Sequence, residues 1–364
     1  MSLKSTVAVK DFQEALAKVR CLGSLVDKDN LSLRVEDPDL CLHSSGEVAS
    51  ISVRLLSLPD RETRSGEVSV PLAELSKFLG HIEGEVSLAE AEKTMSLSST
   101  VSGETSKLRI PKVATKEVGI RLTANNPTTF PIPEEALEKL ISVAFTAAPS
   151  FDRPSKSIQT GTVIRSDGTV LYVEAHQDFL MGVYKQEYKG GGPFTCVIPA
   201  RVAKVLPKMK VTSVSISEDL ITFKGNGVEL EVAPIAQQAI ELDRVLRKFI
   251  GKGTWSIPQA KLKGYVGIVR QALALGRSDR MVGFDLNPGV VSVYVSDKVR
   301  GSTKTVLTDP GYAGDAMRLL MNGAHLAEVL SCTESDTKVE FAGPGELVKV
   351  VGKDLTYALM SDYG

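Results

Sequence analysis

The chain has 364 residues, 43% of them hydrophobic, and this length and composition predict two or three globular domains with ordinary cores. Its 43 basic and 44 acidic residues give a formal net charge of −1, which argues against a protein that coats nucleic acid over its whole surface. Four scattered cysteines without C-x-x-C spacing argue against a disulfide framework or a zinc site. Because no apolar run is long enough to cross a membrane, we expect a soluble cytoplasmic protein.

The first predicted unit, the end of a strand followed by a helix, spans Val7 to Leu22 and carries Phe12, Leu16 and Val19 on one helical face. A second strand-to-helix segment, SVPLAELSKFLGHI, begins at Ser69. It leads into EGEVSLAEAEKTMSLSS, whose alternation of apolar and polar residues is typical of half-buried antiparallel strands. The first part of the chain therefore predicts two helices and an antiparallel sheet.

The same order of elements returns from Phe130 to Ala148, where FPIPEEALEKLISVAFTAA reads as the end of a strand followed by a helix. Pro133 suits the first helical position, because its missing N–H would be unpaired there in any case. The apolar face of this helix is predicted from its spacing and consists of Leu137, Leu140, Ile141 and Ala144. A hairpin turn is predicted at Asp167–Gly168, and a second helix within VIPARVAKVLPKM from Val197.

A third copy begins at Trp255 and runs to Leu275, with Leu262, Val266 and Val269 on one face, and LMNGAHLAEVLSC follows from Leu320. The first helices, anchored at Val9, Ile132 and Ile257, are 123 and 125 residues apart. The second markers, anchored at Val70, Ile198 and Met321, are 128 and 123 residues apart. This period is too long for a solenoid repeat and predicts three similar α+β domains, at 1–125, 126–252 and 253–364.

The sequence offers few candidates for a catalytic site. The glycine-rich Tyr188–Pro193 stretch lacks the Gly-Lys-Ser/Thr ending of a phosphate-binding loop and reads as a hairpin turn. The four histidines are not spaced as metal ligands, and no nucleophile motif is present, so we expect no metal and no cofactor. Glu174, His176 and Asp178 form the most polar cluster near a strand end, and an enzyme with these residues in its site is kept as an alternative.

Three segments make a family resemblance visible: CVIPARVAKVL at 196–206, IQTGTVIRSDGTVLYVEAHQDFL at 158–180, and LTYALM at 355–360. Together with the threefold repeat, they resemble the bacterial sliding clamp, the beta subunit of DNA polymerase III. The resemblance covers essentially the whole chain and identifies a divergent member. It implies that each chain is a crescent of three clamp domains. Two such chains would close head to tail into a six-domain ring, with helices lining the hole and sheets outside.

The resemblance implies that the chain encircles duplex DNA without sequence specificity and tethers a polymerase for processive synthesis, as a non-catalytic subunit. Basic residues on or beside the repeated helices would line the hole, although ordinary solvated helix faces would look the same. The residues assigned to DNA binding are Lys18, Arg20, Lys28, Arg153, Lys156, Arg201, Lys204, Lys208, Arg277 and Arg280.

The resemblance also implies an apolar groove for short peptides of the polymerase and of the clamp loader. Carried over by position, it comprises Gln159, Ala175, Gln177, Asp178, Phe179, Leu180, Ile240, Arg244, Val245, Leu347 and Met360. The family's His-Arg pair is replaced by Asp178-Phe179, and Ser361 stands where the family has Pro. These departures leave open an alternative role as a clamp-like accessory or decoy with altered partners, and the residues could also simply close the last domain's sheet.

The homodimer contact is the third implication of the resemblance. By position, the first domain would contribute apolar residues near its edge and the third domain would contribute the end of its first helix. The residues assigned are Leu79, Ile82, Leu108, Ile110, Leu273 and Leu275. A strand around Leu108–Ile110 could pair across the contact, which would cover an edge that is otherwise exposed.

Overall fold

A computed structural model provides the fold of the chain. It describes residues 3–36, 38–58, 62–114, 127–144, 146, 161–177, 180–235, 246–247, 249–275, 280–297, 301–308 and 311–363. The chain divides into two compact units, Met1–Leu137 with Val205–Pro234, and Glu138–Lys204 with Ile235–Gly364. Two of the three divisions fall inside helices of the expected second domain, and the third lies between Pro234 and Ile235, so the three domain boundaries stay predictions.

Six α-helices of eight or more residues are found in the described part of the chain, at the six positions that the repeat predicts. They are α1 Val9–Cys21, α2 Leu72–Leu79, α3 Glu134–Ala144, α4 Ala200–Met209, α5 Gln259–Leu275 and α6 Gly323–Thr333. A 3-10 turn, Gly23–Leu25, follows α1. Two helices therefore recur in each copy, as predicted.

The strands of the first unit are β1 Lys4–Ala8, β2 Asn30–Glu36, β3 Asp39–Ser45, β4 Ala49–Leu55, β5 Gly66–Pro71, β6 Glu85–Glu90, β7 Thr94–Val101, β8 Glu104–Pro111, β9 Thr128–Pro131, β14 Ser213–Ile216, β15 Ile221–Gly225 and β16 Val228–Val232. They form a four-stranded sheet in the order β1-β6-β7-β8 and an eight-stranded sheet in the order β5-β2-β3-β4-β16-β15-β14-β9. The larger sheet is continuous because β16 pairs with β4, with Leu230 opposite Ile51.

The strands of the second unit are β10 Gly161–Ser166, β11 Val170–Gln177, β12 Leu180–Glu187, β13 Phe194–Pro199, β17 Gly253–Ile257, β18 Met281–Asn287, β19 Val290–Asp297, β20 Gly301–Thr308, β21 Tyr312–Gly314, β22 Met317–Asn322, β23 Thr337–Phe341, β24 Leu347–Val351 and β25 Leu355–Tyr363. The last strand, β25, holds this unit together. Its first half pairs with β12 on one side and β24 on the other, and its last three residues pair with β22. Every strand pair among the described residues is antiparallel, as the alternating sequence predicts.

The predicted apolar helix faces are buried, with one exception. Phe12, Leu16 and Val19 of α1 and Leu262, Val266 and Val269 of α5 all lie in the core. In α3, however, Ile141 is 46% exposed, whereas Val143 is fully buried. Val143 follows Leu140 by three residues and so continues the buried stripe, while Ile141 lies about 100° off it. The prediction for Ile141 is therefore wrong.

Local interactions explain where α6 begins and where β10 turns into β11. The Asn322 side chain accepts hydrogen bonds from the backbone N–H groups of Ala324 and His325, both at 3.1 Å, and so caps α6. The predicted hairpin at Asp167–Gly168 joins β10 to β11, where Ser166 faces Leu171. There Gly168 has φ +97°, a conformation that glycine adopts without strain.

Candidate functional site

The first unit has a basic cavity of about 470 Å³ between the end of α1 and helix α2. Arg20 and Lys28, both expected in the DNA-binding set, line it together with Lys77. None of these three cations forms an ion pair in the described part of the chain. Lys77 was missed by the sequence reasoning, because the contact between α1 and α2 was not predictable from spacing alone. Asp27 also lines the cavity, so its lining carries three cations and one carboxylate and is positive on balance.

The positive charge extends from this cavity to the end of α4. Lys18 and Arg20 lie in the last turn of α1, where the helix dipole favours cations. Burial raises the pKa of the Cys21 thiol, and the nearby charge of Lys208 partly opposes that rise. Lys208 thus lies near the end of α1, so the structure brings together Lys18, Arg20, Lys28 and Lys208 in the first unit.

Along α4 the basic residues share one helical face. Arg201, Lys204 and Lys208 are spaced three and four residues apart, and Arg201 and Lys208 are exposed. Lys204 is half-buried, and this burial lowers the pKa of its ammonium to about 8, while the carboxylate of Glu328 on α6 opposes the shift. At neutral pH, Lys204 therefore carries its charge but lies close to losing it.

Helix α5 is basic without any acidic residue. Lys261, Lys263 and Arg270 are exposed, and the same face carries Gly264 and Gly267, at which an added Cβ would meet no atom within 4 Å. Arg280, from the predicted set, is also exposed, just after this helix. Arg153, Lys156 and Arg277, which we also assigned to DNA binding, lie outside the described residues.

Helix α3 departs from this charge pattern. Its exposed residues Glu134, Glu135 and Glu138 are acidic, and Lys139 forms an ion pair with Glu334 at 3.3 Å. The repeated helices are therefore not uniformly basic. A phosphate backbone would be attracted to α1, α4 and α5 and repelled by the first turns of α3.

The second unit carries an apolar patch on one face of the β12–β25–β24 sheet. Met181 lies directly across from Ala358, and Met181 and Leu347 pack against a cluster of Val183, Leu246 and Ala358. Leu347 faces Met360 across the next pair of strands, and Met360 lies two residues from Ala358, so its side chain is on the same face. We define the apolar patch as the half-buried Met181, Leu347 and Met360 together with the buried Val183, Leu246 and Ala358 beneath them.

Two residues that we expected in the peptide groove lie on the other face of this sheet. Leu180 lies across from Leu359, and Ala175 lies across from Gly182. Met181 follows Leu180 directly, so its side chain points to the opposite face of the sheet. Leu180 and Ala175 are each 1% exposed, and the carbonyl of Ala175 accepts a hydrogen bond from Thr146 at 2.8 Å. They are core residues beneath the patch, and the half-buried Met181 takes their place on the other face.

The remaining groove residues can be placed only in part. Leu347 and Met360 belong to the apolar patch, as described above. The side chain of Gln177 and the residues Gln159, Asp178, Phe179, Ile240, Arg244 and Val245 lie outside the described part of the chain. Leu246, which immediately follows the last of these, is 6% exposed and packs in the buried cluster of the patch.

In the polar cluster of the enzyme alternative, Glu174 is held in a buried ion pair. Both oxygens of the buried Glu174 carboxylate accept hydrogen bonds from Arg165, at 2.9 and 3.0 Å, and the guanidinium lies 3.7 Å from the centre of the Tyr172 ring. In such a bidentate ion pair, both carboxylate oxygens are engaged by the guanidinium. Asp178, the third member, is outside the described residues. No three His, Cys, Asp or Glu side chains among those described could hold a metal ion together.

The residues assigned to the subunit contact differ in exposure. Leu79 and Ile110 are buried to within 1%, and Ile82 is 8% exposed, so these three pack inside the first unit. Leu108 and Leu273 are half-buried, and Leu275 is 44% exposed. Leu108 lies on β8, which ends its sheet as an edge strand, and β20 ends the large sheet of the second unit.

Within the described residues, no helix is long and apolar enough to span a membrane.

Comparison with known proteins relates this fold to one group of solved structures. Neither a protein-family model nor a curated protein sequence matches the chain. Its structure, however, superposes on the DnaN sliding clamp (DNA polymerase III subunit beta) of Pseudomonas aeruginosa bound to griselimycin, with a TM-score of 0.84, 14% identity and 99% of each chain covered.

The DNA polymerase III beta subunit of Thermotoga maritima gives a TM-score of 0.84 at 13% identity over 99% of each chain. The sliding clamp of Bacillus subtilis gives 0.84 at 14% identity over the full length of both. At such identities, the likeness establishes the fold. The chain therefore has the α+β fold of the bacterial DNA polymerase III beta sliding clamps over its whole length.

Proposed function

We propose that the chain is a DNA sliding clamp. The observation that carries this proposal is the agreement in fold with bacterial sliding clamps over the whole length of both chains. Two copies would meet head to tail and close a ring of six domains around duplex DNA. The ring would hold a polymerase near its template, so that rebinding becomes an intramolecular event and synthesis becomes processive.

The charges on the helices support the DNA-binding part of this proposal. Exposed cations on α1, α4 and α5 and in the basic cavity would attract phosphates without reading bases. Such contacts hold DNA while they permit sliding, because no base-specific hydrogen bond fixes the position. The chain's near-zero net charge is compatible with this role, because the cations are concentrated on particular helices.

The apolar patch supports a role in partner binding. Its half-buried Met181, Leu347 and Met360 side chains are adaptable, which suits contact with apolar peptide side chains. In the proposed function, this patch would receive short segments of the polymerase and of the clamp loader. The chain itself would supply no catalysis.

One observation favours the second candidate, a clamp-like accessory or decoy. The acidic first turns of α3 would repel DNA if they faced the hole, and this would weaken retention. The two candidates share the fold and differ in whether a clamp loader can place the chain on DNA.

The test is retention on DNA. After incubation with a clamp loader on nicked circular DNA, a functional clamp would elute with the circle and would be released when the circle is linearised. The triple variant Arg201→Glu, Lys204→Glu and Lys208→Glu should lose this retention, whereas Lys189→Glu, an exposed lysine on a turn, should not. Unchanged retention of the triple variant would contradict a role for α4 in DNA binding. A wild-type chain that forms a dimer but is never loaded would favour the decoy.

A further inference from the structure

The four-stranded sheet of the first unit, β1-β6-β7-β8, has one buried face and one open face. The buried face is lined by apolar side chains that are at most 1% exposed, namely Val7, Val86, Leu88, Met95, Leu97 and Ile110. Successive side chains of a strand point to opposite faces of its sheet. The open face is therefore occupied by the residues next to these in sequence, which are mostly polar.

The middle of the open face is a flat floor of small side chains. Ala89 lies opposite Ser96, and Ser87 lies opposite Ser98 on the neighbouring strand. Ala89 is exposed and the three serines are half-buried. An extended chain can therefore approach the sheet here without meeting a large side chain, and serine hydroxyls can donate hydrogen bonds to it.

Two cations border this floor on the edge strand β8. Lys107 lies opposite Ser98 and Arg109 lies opposite Ser96, and both cations are exposed. Neither forms an ion pair with another residue in the described part of the chain. Because they are two residues apart on one strand, their side chains lie on the same face, about 7 Å apart along it. Their charges are thus open to a partner.

The floor ends at a further cation on the opposite edge of the sheet. Lys4 on β1 lies across from Ala89, so it closes the row that begins with Arg109. Three strand spacings make this row about 14 Å long. Lys4 and Arg64 share the carboxylate of Glu62, which leaves one positive charge in excess at this edge.

The open face is positive on balance. Four cations stand against two carboxylates on it or at its edge: Lys4, Arg64, Lys107 and Arg109 against Glu62 and Glu85. At the end of β8, Lys112 and Glu90 neutralise each other at 2.7 Å. A surface of this kind favours an anionic partner.

The chemistry of the floor favours an acidic polypeptide over nucleic acid. Single strands of nucleic acid bind by stacking their bases on aromatic rings, and none of the described residues on this face is aromatic. Hydroxyls and cations, in contrast, are suitable donors for carboxylates. Carboxylates two residues apart in an extended chain are about 7 Å apart, which matches the spacing of Lys107 and Arg109.

We propose that this face binds an acidic, extended segment of a partner protein. Two of its carboxylates, two residues apart, contact Lys107 and Arg109, and its backbone lies over Ser96 and Ser98. The contact involves neither the apolar patch nor the basic helices, so it goes beyond the proposed function. In the proposed dimer, a strand added beside β8 would extend the sheet in its plane and leave this face open.

The probe is a fluorescein-labelled nonapeptide of alternating Asp and Ser, and its uncharged counterpart has Asn in place of Asp. Fluorescence anisotropy with the full-length chain should show binding of the Asp peptide alone, and this binding should weaken with salt. Lys107→Gln with Arg109→Gln should weaken it about tenfold, which is the scale of two exposed ion pairs. Lys189→Gln with Lys224→Gln removes the same charge from exposed positions elsewhere and should change it little.

Two further measurements locate the peptide. Ser98→Tyr puts a large side chain on the floor without a change of charge and should also weaken binding, and melting temperatures establish that all variants fold. Carbodiimide coupling, which joins a carboxylate to a lysine amine with loss of water, should attach the Asp peptide to Lys107. Coupling only to lysines of the basic helices, or equal binding by the wild type and the Lys107 and Arg109 double variant, would overturn the proposal.

A labelled strand of nine thymidine nucleotides tests the competing class of partner. Its binding to the chain should be the same in the wild type and in the Lys107 and Arg109 double variant. A strand that binds the wild type more tightly than the Asp peptide does, and that is lost from the double variant, would assign this face to nucleic acid and overturn the acidic partner.

Discussion

Met181 on β12 lies directly across from Ala358 on β25, and this pair forms the centre of the apolar patch. The preceding residue, Leu180, faces Leu359 on the opposite side of the same sheet, where both are buried. Adjacent residues of one strand therefore have different roles, because successive side chains point to opposite faces. Leu180 stabilises the core, whereas Met181 is half-buried and is the residue that the proposed function assigns to partner contact.

Met181→Glu should abolish peptide binding and leave the fold intact, because a charge on the half-buried side of the sheet opposes an apolar ligand but need not enter the core. Leu180→Ala should act in the opposite way and lower the free energy of unfolding by about 2–5 kcal/mol through the cavity it leaves. Fluorescence anisotropy with a labelled clamp-loader or polymerase peptide, and urea denaturation of both variants, would test this contrast. Loss of stability in Met181→Glu comparable to that in Leu180→Ala would show that Met181 belongs to the core.

The helices could be predicted from the sequence because each has a buried stripe at the spacing of a helix and because the unit occurs three times. The face of a strand was harder to predict, since a shift of one residue exchanges the two sides. Leu180 and Met181 are both apolar, so the sequence contains no alternation at this point. Only the pairing of β12 with β25 decides between them.

A similar limit applies to helix packing. Ile141 has the right spacing from Leu137 to be buried, yet the core lies on the side of Leu140 and Val143. Lys77 belongs to the basic cavity, but nothing in its own helix indicates that the end of α1 lies beside it. Residues that become neighbours only through tertiary contacts therefore cannot be identified from sequence spacing.

The exposure of Leu108 and Leu275 predicts which substitutions would dissociate the proposed dimer. Leu108→Glu and Leu275→Glu together should yield a 39.1 kDa monomer at micromolar concentration, where the wild type should have twice that mass. Leu79→Ala should instead destabilise the first unit by about 2–5 kcal/mol, because Leu79 is fully buried. Light scattering and thermal denaturation distinguish the two effects. A dimer that tolerates both glutamates would place the contact elsewhere.

Lys204 predicts a pH dependence of DNA retention. Its folded-state pKa of about 8 lies below the ordinary value of 10.5, so its charge is lost as the pH rises through 8. The unfolded chain keeps this proton up to about pH 10.5, so the free energy of unfolding should rise with pH between these values. Retention of the wild type should weaken from pH 7 to pH 9.

Lys204→Arg is the matched control, because arginine stays charged across this range. Its retention should change little between pH 7 and pH 9, and Lys204→Gln should be weak at both. The slope of affinity against salt concentration, measured at each pH, should fall by about one for each phosphate that the protein no longer neutralises. An equal weakening of retention in wild type and Lys204→Arg would assign the pH dependence to another group.

Asp167 predicts a sensitivity to acid in the hairpin between β10 and β11. Its carboxylate accepts backbone hydrogen bonds from Val170 and Thr169, both at 2.8 Å, and these lower its pKa from 3.8 to about 2. The stabilisation is present above pH 4 and is lost as the pH falls towards 2. Asp167→Asn, which keeps an acceptor oxygen but cannot ionise, should unfold with a weaker dependence on pH in this interval. Identical acid titrations followed by circular dichroism would contradict this role.

Gly264 and Gly267 on α5 predict stabilising substitutions. Glycine in the interior of a helix costs about 0.5–1 kcal/mol relative to alanine, and an added Cβ at either position meets no atom within 4 Å. Gly264→Ala and Gly267→Ala should therefore each raise the free energy of unfolding by about that amount.

Gly283 provides a control of opposite sign, because the ring of its cross-strand neighbour Tyr294 covers the space that a Cβ would need. Gly283→Ala should cost about 1–3 kcal/mol through overpacking. Urea denaturation of the three variants measures these differences, and a loss of stability on substitution at Gly264 or Gly267 would mean that the exposed face of α5 is already covered in solution.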